Sequence, residues 1–161
     1  MGQRLEEAKA RYNRVQLFCD LLSGVVLLAT ILYLVFSWAE IPDTVPTHFN
    51  FSGEADAWGS KNSILLCPIL AIVFYIGLSA VILFPGAWNF PVKLTDENRE
   101  RMFILGQEML SATKASSVLL LCYIAFATAS RQALSGLLMI IFLIVMFGVI
   151  IFYLVRMTHN K

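Results

Sequence analysis

Four long apolar runs restrict what this chain can become. They are "LFCDLLSGVVLLATILYLVFSW" (17–38), "ILLCPILAIVFYIGLSAVILF" (64–84), "ASSVLLLCYIAFATAS" (115–130) and "ALSGLLMIIFLIVMFGVIIFYLV" (133–155). A helix needs about 20 mainly apolar residues to cross a hydrocarbon layer of about 30 Å. Inside lipid every backbone polar group must find its partner within the protein, so such runs are read as helices. The third run is short and is expected to borrow "MLSAT" before it, with Lys114 snorkelling outward. The spans are therefore placed at about 17–38, 64–84, 112–130 and 133–155. A loop at 39–63 and a segment at 85–114 connect them, within one membrane domain covering 1–161. The fold class expected is all-α, an integral membrane four-helix bundle.

Composition agrees. Hydrophobic residues make up 58% and charged residues 14% of the chain, against about 25% charged in ordinary soluble domains. The net charge of +1 gives no electrostatic basis for nucleic-acid binding. Cys19, Cys67 and Cys122 form no C-x-x-C pair and are odd in number, so they are read as small buried hydrophobes. "SWA" at 37–39 looks like a signal-peptidase site, but the apolar run before it exceeds a signal core of about 7–15 residues. An uncleaved first span is expected.

Lys and Arg accumulate in cytoplasmic segments of membrane proteins. Arg4, Lys9, Arg11 and Arg14 precede the first run; Lys93, Arg99, Arg101 and Lys114 lie between the second and third; Arg156 and Lys161 follow the fourth. Only Lys61 and Arg131 fall in the other two segments, ten against two. Both termini are thus expected in the cytoplasm and the 39–63 loop outside. Arg131 and Gln132 leave a tight turn between spans three and four, which makes those spans antiparallel neighbours.

Two basic segments show helical periodicity. Leu5, Ala8, Tyr12 and Val15 share one face. In "LTDENRERMFILGQEMLSATK", Thr95 is a helix cap, with Asp96 and Glu97 in the first turn. Met102, Leu105, Met109 and Leu110 form an apolar stripe there. An amphipathic interfacial helix before span three is expected, and docking of a cytoplasmic partner is the alternative use of that surface. Asp20 is read as the one charge inside a span, close enough to the edge to reach water or Arg14. Gly24, Gly77, Ala80, Ala125–Ala129, Ser135, Gly136 and Gly148 supply small helix contacts, which would serve a homo-oligomer equally well.

The polar cassette "IPDTVPTHFNFSGEADAWGSK" (41–61) stands apart. Pro42 and Pro46 exclude helix; Gly53 and Gly59 are free to take turn conformations. An ordered extracytoplasmic loop is expected, with Phe49, Phe51 and Trp58 at the headgroup level. Lys61 is expected to bind a lipid phosphate or to pair with Asp56 or Glu54. His48, with Asn50, Glu54 and Asp56, permits a metal site to be drawn, although one histidine and two acids match no established metal spacing. Ser52 and Ser60 stand in no nucleophile–base setting, so no catalytic residue is assigned. "NFS" is an N-glycosylation acceptor only in a eukaryotic secretory setting.

Pro46, His48, Asn50, Gly53, Asp56, Gly59 and Lys61 follow the order Pro, x, His, x, Asn, two residues, Gly, two residues, Asp, then Gly and Lys. In this the first two spans and their loop resemble a small bacterial membrane domain of unknown function, number 1648. "FPVKLTDENRERMF" is similar to the segment that often follows it. The same domain is found on the N-terminal side of SdpI-like immunity proteins, membrane receptors against secreted peptide toxins. The resemblance implies an outward loop in a bacterial plasma membrane that meets an external peptide or small ligand. His48, Asn50, Asp56, Trp58 and Lys61 are the ligand-binding candidates, and Pro46, Gly53 and Gly59 the structural turn. The leading expectation is a non-enzymatic, multi-pass membrane protein without cofactor, whose outward loop recognises an external ligand or a membrane partner, with an immunity- or sensor-like role against a peptide toxin as its specific form. The rivals are a metal-assisted enzyme at the outer interface, using His48, Glu54 and Asp56, and a transport or scaffold subunit.

Overall fold

The computed structural model describes residues 13–50 and 52–159. The helical face expected for Leu5, Ala8 and Tyr12 lies outside these residues, as does Phe51. Helix α1 spans Arg14–Ser37; strands β1 (Thr44–Phe49) and β2 (Ala55–Ser60) follow; a 3₁₀ turn at Lys61–Leu65 leads into α2 (Leu66–Leu83). Helix α3 spans Arg99–Ala129 and α4 spans Gly136–His159. All four helices are long and apolar enough to cross a membrane. The fold is not purely α, because the polar cassette closes into an antiparallel hairpin.

Local chemistry sets the helix ends. Asn13 and Gln16 cap α1 reciprocally, each side chain accepting the other's backbone N–H at 2.9 Å. Pro68 falls in the first turn of α2, where its missing N–H interrupts nothing. Arg131 takes a positive φ of 55° after the end of α3. Its N–H donates to Thr128 O and that of Gln132 to Ala127 O, the bond pair of a Schellman turn.

Helix α3 corrects two expectations. Its 31 residues form one unbroken rod, roughly 46 Å long at 1.5 Å per residue. The expected interfacial helix is its N-terminal part. The stripe of Met102, Leu105 and Met109 is covered by Tyr153 and Met157 of α4 and by Phe90, Val92 and Leu94 of the preceding loop. Trp88 and Phe90 also close over Gly106, where a Cβ would meet Trp88 Cζ3 at 2.7 Å. Protein rather than lipid therefore covers that face. Nor does Thr95 cap the helix. Thr95 and Asn98 accept each other's backbone N–H in the turn before it, and the first-turn acid is Glu100.

Helix α3 is also the centre of the packing, in contact with α1, α2 and α4. It runs parallel to α1, with Asn13 beside Glu108, Asp20 beside Lys114, and Leu34 clustered with Ala129. It runs antiparallel to α4, with Tyr123 stacked on Phe142 at 5.8 Å and Ser117 against Met146. Leu27, Ala71, Val118 and Cys122 form an apolar middle layer. Phe18, Leu21, Val25 and Phe36 on α1 and Leu137, Ile144 and Ile151 on α4 are exposed, as a lipid-facing surface requires.

Lys114 does not snorkel, and Asp20 does not depend on Arg14. Lys114 is 1% exposed, and its Nζ lies 2.6 Å from Asp20 Oδ1. It also donates to Ser79 Oγ at 2.9 Å and sits 4.9 Å from the centre of the Tyr75 ring. The Tyr75 hydroxyl donates to the main-chain carbonyl of Asp20 at 3.4 Å. An ammonium near the middle of a long helix cannot reach either surface without disrupting the bundle, so it is neutralised where it stands.

Candidate functional site

The hairpin is built on Val45, which is fully buried with Ile41 and Ile64 against Leu34 and Ala129 at the ends of α1 and α3. Thr44 pairs with Ser60, Val45 with Gly59 and Pro46 with Trp58. The register then shifts on either side of His48, which falls opposite Ala57. Such a bulge turns a side chain away from its regular direction. Here His48 Nδ1 meets Asp56 Oδ1 at 2.5 Å, and the two side chains remain 68% and 44% exposed. Gly59 lets the strands approach, since a Cβ there would sit 2.8 Å from Thr47 Cγ2.

Asn50 organises the turn. Its Oδ1 accepts from the N–H groups of Ser52 and Glu54, at 2.9 and 3.0 Å, and its Nδ2 donates to Glu54 Oε2 at 3.3 Å. These are the bonds by which asparagine stabilises a reversal of the chain. Gly53 takes φ +81° and accepts the N–H of Leu134 at 2.9 Å. The tip is thereby fastened to the α3–α4 connection. Arg131 reaches back from the same connection to Thr44 O at 3.4 Å. The hairpin is thus fastened at its base and its tip, with one face left open.

The base closes differently from expectation. Lys61 Nζ pairs with Asp43 at 3.1 Å, not with Asp56 or Glu54, and lies 5.6 Å from the centre of the Trp38 ring. The Lys61 N–H donates to Asp43 O at 2.9 Å, which holds the two residues in register. Of the five ligand-binding candidates, His48 and Asp56 come together and Trp58 is exposed on the same hairpin. Asn50 is occupied by the turn, and Lys61 sits at the opposite end from it. Among the described residues no three His, Cys, Asp or Glu side chains are grouped as a metal site requires. His48 and Asp56 make a pair, while the Glu54 carboxylate is turned to Asn50.

Sequence reasoning missed Asp43, Trp38 and Leu134 because each acts through a contact that only the folded hairpin creates. It also missed the Asp20–Lys114 pair. One signal for it was available: spans one and three enter from the same side, and each carries one charge of opposite sign within about one turn of its expected start.

Residues 25–72 match the family described as a domain of unknown function, DUF1648. That range starts within α1, contains the whole hairpin and ends two turns into α2. The chain is also similar to an uncharacterized protein of Archaeoglobus fulgidus, with 29% identity over 82 residues, covering 42% of this chain and 45% of that one. The match spans less than half the length of that relative. No solved structure matches.

Proposed function

We propose that this is a non-enzymatic receptor-like membrane protein of the bacterial plasma membrane, whose hairpin faces outward and recognises an external peptide or small ligand. The observation that carries the reading is that the His48–Asp56 pair and Trp58 are exposed together on one hairpin fastened at both ends. Fastening removes most of the ordering cost of binding, and an aromatic ring presented together with a polar pair is common recognition chemistry. Asp43, Glu40, Glu54 and Asp56 outnumber Lys61 and Arg131 at this end of the molecule, so a basic or amphipathic peptide fits its charge. A secreted peptide toxin is a ligand of that kind, and an immunity-like role is the specific form of the proposal.

The orientation in this reading follows the basic residues. Arg14, Lys93, Arg99, Arg101 and Arg156 lie at the end away from the hairpin, which is assigned to the cytoplasm. Lys114, one of the basic residues in the sequence count, is neutralised within the bundle and drops out of it.

The test is protection. Cells carrying the chain, His48→Ala or Asp56→Ala are challenged with secreted peptides from competing strains, and membrane levels of each variant are measured. Protection by the parent chain, lost in both variants at equal membrane levels, supports the reading. Equal performance by the variants removes the His48–Asp56 pair from function.

A further inference from the structure

We propose that the outer edge of β2 is a strand-addition site, at which an extended basic segment of the external peptide pairs main chain to main chain; this rests on the receptor-like reading of the hairpin. The ladder shows which groups are free to pair. The Lys61 N–H donates to Asp43 O, so positions 43 and 61 form a hydrogen-bonded pair. Opposite residues in an antiparallel ladder alternate between bonded and non-bonded pairs. Thr44 with Ser60 and Pro46 with Trp58 are therefore non-bonded pairs. The main-chain N–H groups of Trp58 and Ser60 and the carbonyl of Trp58 point away from β1. Two observations on β1 agree with this phase: Pro46 has no N–H to offer, and the Thr44 carbonyl faces outward to Arg131.

The two edges of the hairpin differ. The β1 edge is closed: Arg131 bonds to Thr44 O, Val45 and Pro46 are buried, and the strand packs on α3. The β2 edge is open. None of its residues is buried, Trp58 is 55% exposed, and among the described residues no third strand pairs with it. Proteins commonly block a free edge with lysine, proline or a covering segment. The β2 sequence "ADAWGS" has neither lysine nor proline.

Charge selects the occupant. Residues 40–61 carry Glu40, Asp43, Glu54 and Asp56 against Lys61, and Lys61 is already paired with Asp43. A second copy of the hairpin would bring the same acids to this edge, so a basic strand is favoured over self-pairing. The strand has 6 residues, roughly 20 Å at about 3.3 Å per residue, which suits a short extended segment. A ligand residue set opposite Trp58 places its side chain on the face of the sheet that carries the indole. An aliphatic, aromatic or cationic group gains there. Main-chain bonds thus supply affinity, and the position opposite Trp58 supplies selectivity.

The experiment uses the full chain in lipid nanodiscs. The probes are a peptide of about eight alternating lysine and valine residues, a copy of it N-methylated throughout, and a peptide of alternating glutamate and valine. Calorimetry reads binding, and residue-resolved hydrogen exchange reads the amides of Trp58, Gly59 and Ser60. In the free protein the Trp58 and Ser60 amides are expected to exchange at least about tenfold faster than that of Gly59, which faces β1. The lysine peptide is expected to bind and to slow both. The N-methylated and glutamate peptides are expected to bind at least about tenfold more weakly, the worth of one or two main-chain hydrogen bonds. Ser60 already holds φ −61°, so Ser60→Pro fits the backbone and removes one outward donor. It should weaken the lysine peptide several-fold with Gly59 exchange unchanged; should it unsettle the hairpin, the N-methylated peptide decides. No binding at about 1 mM lysine peptide overturns the proposal. So does binding that leaves the Trp58 amide exchanging, or that neither N-methylation nor a reversed charge weakens. Recognition would then belong to side chains alone, and the receptor-like reading, tested by protection, would stand. Slow Trp58 exchange in the free protein that speeds up with one copy per disc would put a second copy on the edge and overturn the proposal as well.

Discussion

Gly53 accepts the backbone N–H of Leu134 at 2.9 Å, and a Cβ at position 53 would fall 1.6 Å from Leu134 O. The tip of the hairpin therefore touches the α3–α4 connection backbone to backbone. Gly53→Ala must either leave the φ of +81° or push Leu134 away. The left-handed conformation alone costs an alanine about 1–2 kcal/mol, and the lost bond about 1 kcal/mol more. The expected result is a hairpin that exchanges its amides and is cut by protease much faster, above four intact helices. Hydrogen exchange on the purified protein checks this.

Asn50 and His48 are expected to separate fold from function. Asn50→Ala removes two acceptor bonds and one donor bond from the turn and should destabilise the hairpin by about 1–3 kcal/mol. His48→Ala and Asp56→Ala remove an exposed pair, whose contribution to stability is about 0–1 kcal/mol. Hydrogen exchange should therefore report a looser hairpin for Asn50→Ala alone, while the protection assay should report a loss for His48→Ala and Asp56→Ala.

Lys114→Met is expected to cost about 3–5 kcal/mol, because Asp20 is left charged inside the bundle. Asp20→Leu combined with Lys114→Met should recover most of that loss, since a well-packed apolar pair replaces a buried ionic one at little net cost. Thermal unfolding in detergent, compared across the single and double variants, measures the coupling. Purely additive losses would mean the two side chains do not act as a pair.

Lys61→Met retains the aliphatic stem beside Trp38 and removes only the bond to Asp43, whose side chain is 94% exposed. Its effect on stability should fall below about 1 kcal/mol. A large loss of protection with unchanged stability would return Lys61 to the recognition surface.

The helices were legible because lipid leaves a segment of about 20 apolar residues little choice of structure. Their ends were less so. The third was foreshortened to 112–130 because its apolar run begins only at 115 and Lys114 was expected to snorkel outward, whereas Lys114, like Gln107 and Ser111 before it, is buried. Polarity in a sequence states that a side chain needs a partner, not where the partner is. The same reason explains Lys61, whose acid proved to be Asp43 across the base of the hairpin. Of the expected turn residues, Gly53 lies in the turn, where its type acts through local backbone chemistry, whereas Pro46 and Gly59 lie within the strands, and Asn50, read as a ligand-binding candidate, organises the turn instead. Strand pairing could not be read from the sequence, since Pro46 and Gly59 weigh against regular strands and the register depends on Val45 finding its place between α1 and α3.

The outward hairpin is the premise of the functional reading, and its sidedness is the most direct thing to measure. Ser52 is exposed at the tip, while Cys19, Cys67 and Cys122 all lie within the helices. Ser52→Cys is labelled on intact cells with a membrane-impermeant maleimide, and the same sample is labelled after lysis. Full labelling of intact cells, with no further gain on lysis, is expected. Labelling that occurs only after lysis would put the His48–Asp56 pair in the cytoplasm and contradict recognition of any external ligand.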